Sequence, residues 1–251
     1  MVTSSNRFYD TYHKKNRNSL YHAIITDSNF TYFYTLKYLK KVLEMFGLKK
    51  LEILDLGCGV GTIDFYLAKK GHELTGIDIS QDAIDICNQV KKELEFLNAT
   101  FVQGDVQKTH FKKKFDFVIC SEVIEHVEDD VGLLKTIGNL LTDSGVLLLT
   151  TPSVNAPLYR LGFLKSFERR VGHLRRYQMK KLIELIEQAG FEIVETAKTE
   201  SVVRNALYTF PILGYLIKGL RGPLVPVFHF FDQMGTTLVG ESDLVIIARK
   251  L

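Results

Sequence analysis

Ile53-Leu54-Asp55-Leu56-Gly57-Cys58-Gly59-Val60-Gly61-Thr62 decides how the rest of the chain is read. Ile53, Leu54 and Leu56 suit a strand covered on both faces, as in a parallel sheet. Gly57, Gly59 and Gly61 then allow a sharp turn and the close approach of a ligand to the backbone. Ile63, Tyr66 and Leu67 recur at helical spacing. Strand, glycine turn and helix together predict a nucleotide-type site at the carboxyl edge of a sheet.

The spacing narrows the ligand. A dinucleotide fingerprint reads G-x-G-x-x-G/A, and its third position here is Thr62 rather than glycine. The phosphate loop G-x-x-x-x-G-K-[ST] does not occur at this turn. An acid that holds ribose hydroxyls belongs at the end of the next strand. Leu74-Thr75-Gly76-Ile77-Asp78-Ile79 supplies it as Asp78.

Further along, Gly104-Asp105 follows a third strand, and Phe115-Asp116-Phe117-Val118-Ile119-Cys120-Ser121-Glu122-Val123-Ile124-Glu125-His126-Val127 forms a fourth with its exit. Gly145-Val146-Leu147-Leu148-Leu149 is a fifth. With Asp55-x-Gly57-x-Gly59-x-Gly61 and Asp78, this series resembles the class I S-adenosylmethionine-dependent methyltransferases over roughly residues 50 to 152, with a looser match to about 195. The Glu-x-x-Glu-His-Val run and Gly172-His173-Leu174-Arg175 resemble the small-molecule branch that includes the ubiquinone-biosynthesis O-methyltransferases. The resemblance implies an α/β fold with a doubly wound, mostly parallel seven-stranded sheet, its seventh strand antiparallel between the fifth and sixth. It implies S-adenosylmethionine as cofactor and S-adenosylhomocysteine as product.

The resemblance also implies the residue roles. Gly57, Cys58, Gly59 and Gly61 pass beside the methionine and ribose, and Asp55 meets the amino-acid end. Asp78 accepts the ribose hydroxyls, with Ile79 along the adenine. Asp105 accepts from the adenine amino group beside Val106, and Ser121 closes the site. Glu122 lines the place where the acceptor must approach. A family that methylates planar amines carries [N/D]-P-P-[Y/F] there, and Ser121-Glu122-Val123-Ile124 does not match it. If the acceptor is a hydroxyl, a base must take its proton. His126 and His173 are the candidates, because imidazole titrates near neutral pH. Arg175, Arg176 and Tyr177 are placed to hold an anionic or phenolic acceptor. No metal is required, although Glu122, Glu125 and His126 resemble a ligand cluster on paper.

A chain of 251 residues buries one substantial core, so one domain over 1–251 is expected. It divides into an N-terminal helical cap (1–47), a cofactor-binding core (50–200), an apolar insertion (202–240) and a last strand (242–250). Residues 1–28 are either a loosely packed leader or a lid. Residues 153–176 read as a long loop. The helix after the second strand is expected to bury a stripe of Ala83, Cys87, Val90, Leu94 and Leu97.

A net charge of +3 does not argue for nucleic acid. Three cysteines build no disulfide framework, and no apolar signal core opens the chain, which points to the cytoplasm. An uncharged apolar run of about 18 residues, as a spanning helix needs, does not occur. The insertion is apolar, aromatic, broken by prolines and dotted with cations. It fits a cap, a homodimer contact, or a peripheral membrane surface for a lipid acceptor. The remaining alternatives are a partner subunit that binds cofactor without turnover, and a nicotinamide oxidoreductase, against which the glycine spacing weighs.

Overall fold

The computed structural model describes residues 25–26, 31–109, 111–202, 204–205 and 225–251. A helix, α1 (Phe33–Phe46), precedes alternating elements: β1 (Glu52–Leu56), α2 (Thr62–Lys69), β2 (Glu73–Asp78), α3 (Gln81–Glu93), β3 (Ala99–Gln103) and β4 (Phe115–Ser121). There follow a single 3-10 turn (Ile124–His126), α4 (Asp130–Leu140), β5 (Leu141–Pro152), α5 (Pro157–Arg160), α6 (Lys165–Val171), α7 (Met179–Gln188), β6 (Phe191–Thr199), α8 (Val225–Leu238) and β7 (Asp243–Lys250).

The seven strands make one sheet in the order β3-β2-β1-β4-β5-β7-β6. The first five pair in parallel, and β7 runs antiparallel to both β5 and β6. This is the sheet that the resemblance implies. Its central strands are apolar on consecutive residues because each face meets a different core, whereas the edge strand β6 alternates. Ile53, Phe117, Ile119 and Leu148 pack with Leu36, Leu39 and Val42 of α1. Their neighbours Leu54, Val118, Leu147 and Leu149 pack with Leu134, Ile137, Leu182 and Ile186 on the other face. Each such side chain contributes about 1.5–3 kcal/mol by leaving water.

The helix starts follow capping chemistry. Ser80 Oγ accepts from Ala83 N at 3.3 Å, and Asp129 Oδ1 from Gly132 N at 2.8 Å. Two expectations are corrected. Helix α3 ends at Glu93, so Leu94 and Leu97 lie beyond its stripe and are exposed. The stretch 153–176 is not structureless but holds α5 and α6, whose periods are too short to stand out from the sequence. Most of the proposed leader (1–24, 27–28) and residues 203 and 206–224 of the insertion lie outside the described residues.

Within the insertion α8 is built inside out. His229 and Asp232 are buried, while Val227, Phe230, Phe231, Met234 and Leu238 are exposed at helical spacing. The buried side faces Arg204, itself fully buried. Its Nη2 donates to His229 Nδ1 at 3.0 Å, and its Nε lies 3.6 Å from Asp232 Oδ2. The guanidinium also stacks over Tyr34 of α1 at 4.8 Å. One buried cation thus joins α1, α8 and the end of β6.

Candidate active site

The glycine turn is held from below. Gly57 N and Cys58 N both donate to Ile77 O, at 2.8 and 3.0 Å. Gly57 has φ +73°, and a Cβ there would lie 2.5 Å from Val123 Cγ2. Its missing side chain therefore admits the exit of β4. Gly59, at φ +53°, is the glycine that faces open space: nothing lies within 4 Å of its Cβ position. Asp78 closes the cradle, its Oδ2 accepting from Gly59 N at 2.9 Å and its Oδ1 from Ser80 N at 2.8 Å. Each carboxylate oxygen keeps a lone pair for a further donor. An open backbone beside an oriented acid fits a ribose with its two hydroxyls. Ile79, next along, is exposed and offers an apolar face.

The other residues named for this site are placed differently. Cys58 turns its thiol inward, 3.7 Å from Gly59 O. Gly61 has its Cβ position filled by Phe65 and Cys87. Asp55 is buried beneath the turn. Asp105 caps its own loop: burial raises its pKa, but hydrogen bonds from Lys108 and Gln107 N outweigh that and hold it low. Val106 packs on the second core. Ser121 bonds Thr150, 2.8 Å between hydroxyls, and belongs to the neighbouring cavity.

That cavity, about 440 Å³, opens at the same carboxyl edge of the sheet. Ser121, Glu122, His126, Thr150, His173 and Arg176 are among the residues that line it. Glu122 sits at φ +56°, a strained backbone for a side chain, which turns its carboxyl toward Thr150. Thr150 Oγ1 donates to Glu122 Oε1 at 2.8 Å. The rings of His126 and His173 meet edge to face, 4.8 Å apart. His126 Nδ1 lies 3.3 Å from Gly172 O, and burial, then His173, presses its pKa down to about 4. It lies in the 3-10 turn, ahead of α4 rather than at that helix's start.

His173 is held by a partner that the sequence did not disclose. Its Nδ1 lies 3.1 Å from Glu168 Oε2. Arg176 grips the same carboxylate, Nη2 to Oε1 at 2.6 Å and Nε to Oε2 at 3.2 Å. Burial would raise the Glu168 pKa, but these two partners bring it to about 2, so Glu168 is ionised. An ionised Glu168 accepts, so Nδ1 carries the hydrogen and Nε2 is the basic nitrogen. Arg175 and Tyr177 instead bind Asp130, at 2.8 and 2.9 Å, which corrects their expected place at the acceptor.

Glu125 is fully buried. Its Oε2 accepts from Thr151 Oγ1 at 2.9 Å, and its Oε1 lies 3.8 Å from His126 Nε2 and 3.9 Å from His173 Nε2. These three residues offer ligand atoms within 4.8 Å of one another, a set that can hold a metal ion. Glu122 points to Thr150 and is not part of it. Tyr34, Glu200, Asn205 and Asp243, unforeseen as site residues, complete the lining of the cavity. Glu200 stands at φ +53° just after β6, and Asp243 opens β7. Burial raises both carboxyls.

A glycine cradle with a strand-end aspartate, a polar cavity beside it, and β7 reversed between β5 and β6 together define the class I methyltransferase fold. The chain belongs to the methyltransferase-domain family, whose model matches residues 48–207. It is 33% identical over 122 residues to a ubiquinone biosynthesis O-methyltransferase of Coxiella burnetii, covering 48% of this chain and 52% of that one. It is also 33% identical over 156 residues to one of Rickettsia canadensis, covering 59% and 65%. The chain thus spans about half to just under two thirds of the length of these curated relatives. The structure of magnesium protoporphyrin IX methyltransferase from Synechocystis superposes with a TM-score of 0.64 at 17% identity, over 98% of each chain.

Proposed function

We propose that this protein is an S-adenosylmethionine-dependent methyltransferase whose acceptor is a hydroxyl of a small molecule. When bound, the cofactor supplies an electrophilic methyl group. Asp78 and Gly59 would hold its ribose, and Ile79 would lie along its adenine. Everything else falls to positioning and to one proton. The cavity at the sheet edge beside the cradle would receive the acceptor, and alignment of this kind lowers a barrier by up to ~7–11 kcal/mol. His173 takes the hydroxyl proton at Nε2 while Glu168 steadies the imidazolium through Nδ1.

The observation that carries the reading is the Glu168–His173 pair facing the cavity, with Glu168 pinned by Arg176. His173→Ala is expected to lower turnover about 10²- to 10⁴-fold, the usual contribution of a positioned base, with S-adenosylhomocysteine binding unchanged. Turnover equal to wild type on the true acceptor contradicts the base role.

The outward apolar face of α8 favours a second reading of the acceptor, as a lipid or lipid-linked molecule met at a membrane surface. No helix among the described residues is long and apolar enough to cross a membrane. Flotation with liposomes should carry the full chain and leave behind one lacking 205–235. Equal flotation of both removes this reading.

A further inference from the structure

Beneath the glycine turn lies a pair of acids that the methyl-transfer chemistry leaves unused. Asp55 on β1 is 3% exposed, and Asp64, in the first turn of α2, is 0% exposed. The β1–β2 register pairs Asp55 with Gly76, and the position of a Cβ on Gly76 lies 3.0 Å from Asp64 Oδ1. The glycine leaves the room in which the Asp64 carboxyl sits beside β1. No donor from another element reaches either oxygen of Asp64; its own backbone N–H and the Asp55 carboxyl are what it faces. The titratable groups facing the pair are Asp78 of β2, Cys58 of the turn, Cys87 of α3 and Cys120 of β4. None of them is a cation.

Two bare carboxylates in such a place are costly, and one proton between them removes most of the cost. Burial first, then Asp64, pushes Asp55 well above the carboxylate range; burial brings Asp64 up to about 7. We propose that Asp55 and Asp64 act as one acid pair that carries a single proton until an ammonium ion docks at the glycine turn, and then releases it. The inference rests on the cofactor reading above, whose ligand carries an α-ammonium at its amino-acid end. The O–H held between the carboxyls breaks, its proton goes to buffer, and the pair passes from one negative charge to two as the cation arrives. Asp64 is then a positioning residue that sets the charge of Asp55.

Calorimetric titration of the full chain with S-adenosylhomocysteine in phosphate and in Tris at pH 7 tests this. The two buffers take up a proton with different heats. The wild type should release about half to one proton per ligand, and its affinity should climb by up to about tenfold per pH unit between pH 6 and 8. Asp64→Asn, whose amide replaces the shared proton as donor to Asp55, should release none and show a flat profile. Binding by the wild type with buffer-independent heat overturns the acid pair and leaves the cofactor reading standing. Equal proton release by Asp64→Asn does the same. No binding by the wild type removes the cofactor reading, and this inference with it.

Discussion

At the level of single residues, the site works by pairing buried charges unequally. Glu168 is held ionised by Arg176 and so fixes the tautomer of His173. Glu168→Gln removes that bias, because an amide can present either oxygen or nitrogen to Nδ1. The variant should lose turnover and shift its pH–rate profile, while its affinity for S-adenosylhomocysteine stays put. An unmoved profile contradicts the orienting role. Glu125 is the opposite case. Burial, then Glu122, raises its pKa well above the ordinary value, so it is protonated over part of the range where a free glutamate is ionised. Its folded pKa exceeds the unfolded one, so its contribution to stability is full at low pH and falls as pH rises toward the folded pKa. Glu125→Gln mimics the protonated form and should flatten that fall, with a melting temperature at pH 7 equal to or above wild type. A marked drop instead means Glu125 works as a carboxylate between the two imidazoles.

Among elements, the glycine turn and the exit of β4 form one unit. Gly57→Ala places a methyl 2.5 Å from Val123 Cγ2 on a backbone at φ +73°. The backbone conformation alone costs about 1–3 kcal/mol, and the overlap adds to it. Thermal melts should show the loss, and Val123→Ala in the same chain should return part of it. No recovery in the double variant contradicts the contact. This unit was legible in outline: alternating glycines, an apolar strand and Asp78 lie close together in sequence, where local periodicity reads well. Val123 as the reason for Gly57 was not, because that contact spans 66 residues. The part of the cavity lined by Glu200 and Asp243 was hidden for the same reason. Glu200 and Asp243 meet only because β6 and β7 pair antiparallel with Thr199 opposite Asp243. Glu168 was missed because α6 is seven residues long, too short to show a period.

For the molecule as a whole, Arg204 is the tie between the cap and the sheet. It is fully buried and reaches Tyr34 of α1, Asp232 of α8 and, at 3.6 Å, Glu200. Arg204→Met leaves Asp232 buried beside no cation, a loss of about 3–5 kcal/mol by the rule for broken buried pairs. Adding Asp232→Leu should restore much of it. Two of these partners, Tyr34 and Glu200, line the cavity, so Arg204→Met should also weaken acceptor binding more than cofactor binding. The doubly wound parallel sheet was readable from the alternation of strands and helices, and the reversed seventh strand from the family resemblance; the full strand order is the structure's own. The inside-out α8 was not foreseen. The apolar residues of the insertion left an inward cap and an outward surface both open, and only the burial of His229 and Asp232 shows which side of α8 points out.

The central claim is that the glycine turn and Asp78 cradle S-adenosylmethionine. Calorimetric binding of S-adenosylhomocysteine to wild type and to Asp78→Ala tests it most directly. Loss of hydrogen bonds to a charged group is worth about 1.5–3 kcal/mol, so the variant should bind roughly 10- to 100-fold more weakly. Equal affinity in both would place the ribose elsewhere, and no binding to the wild type would contradict the account at its root.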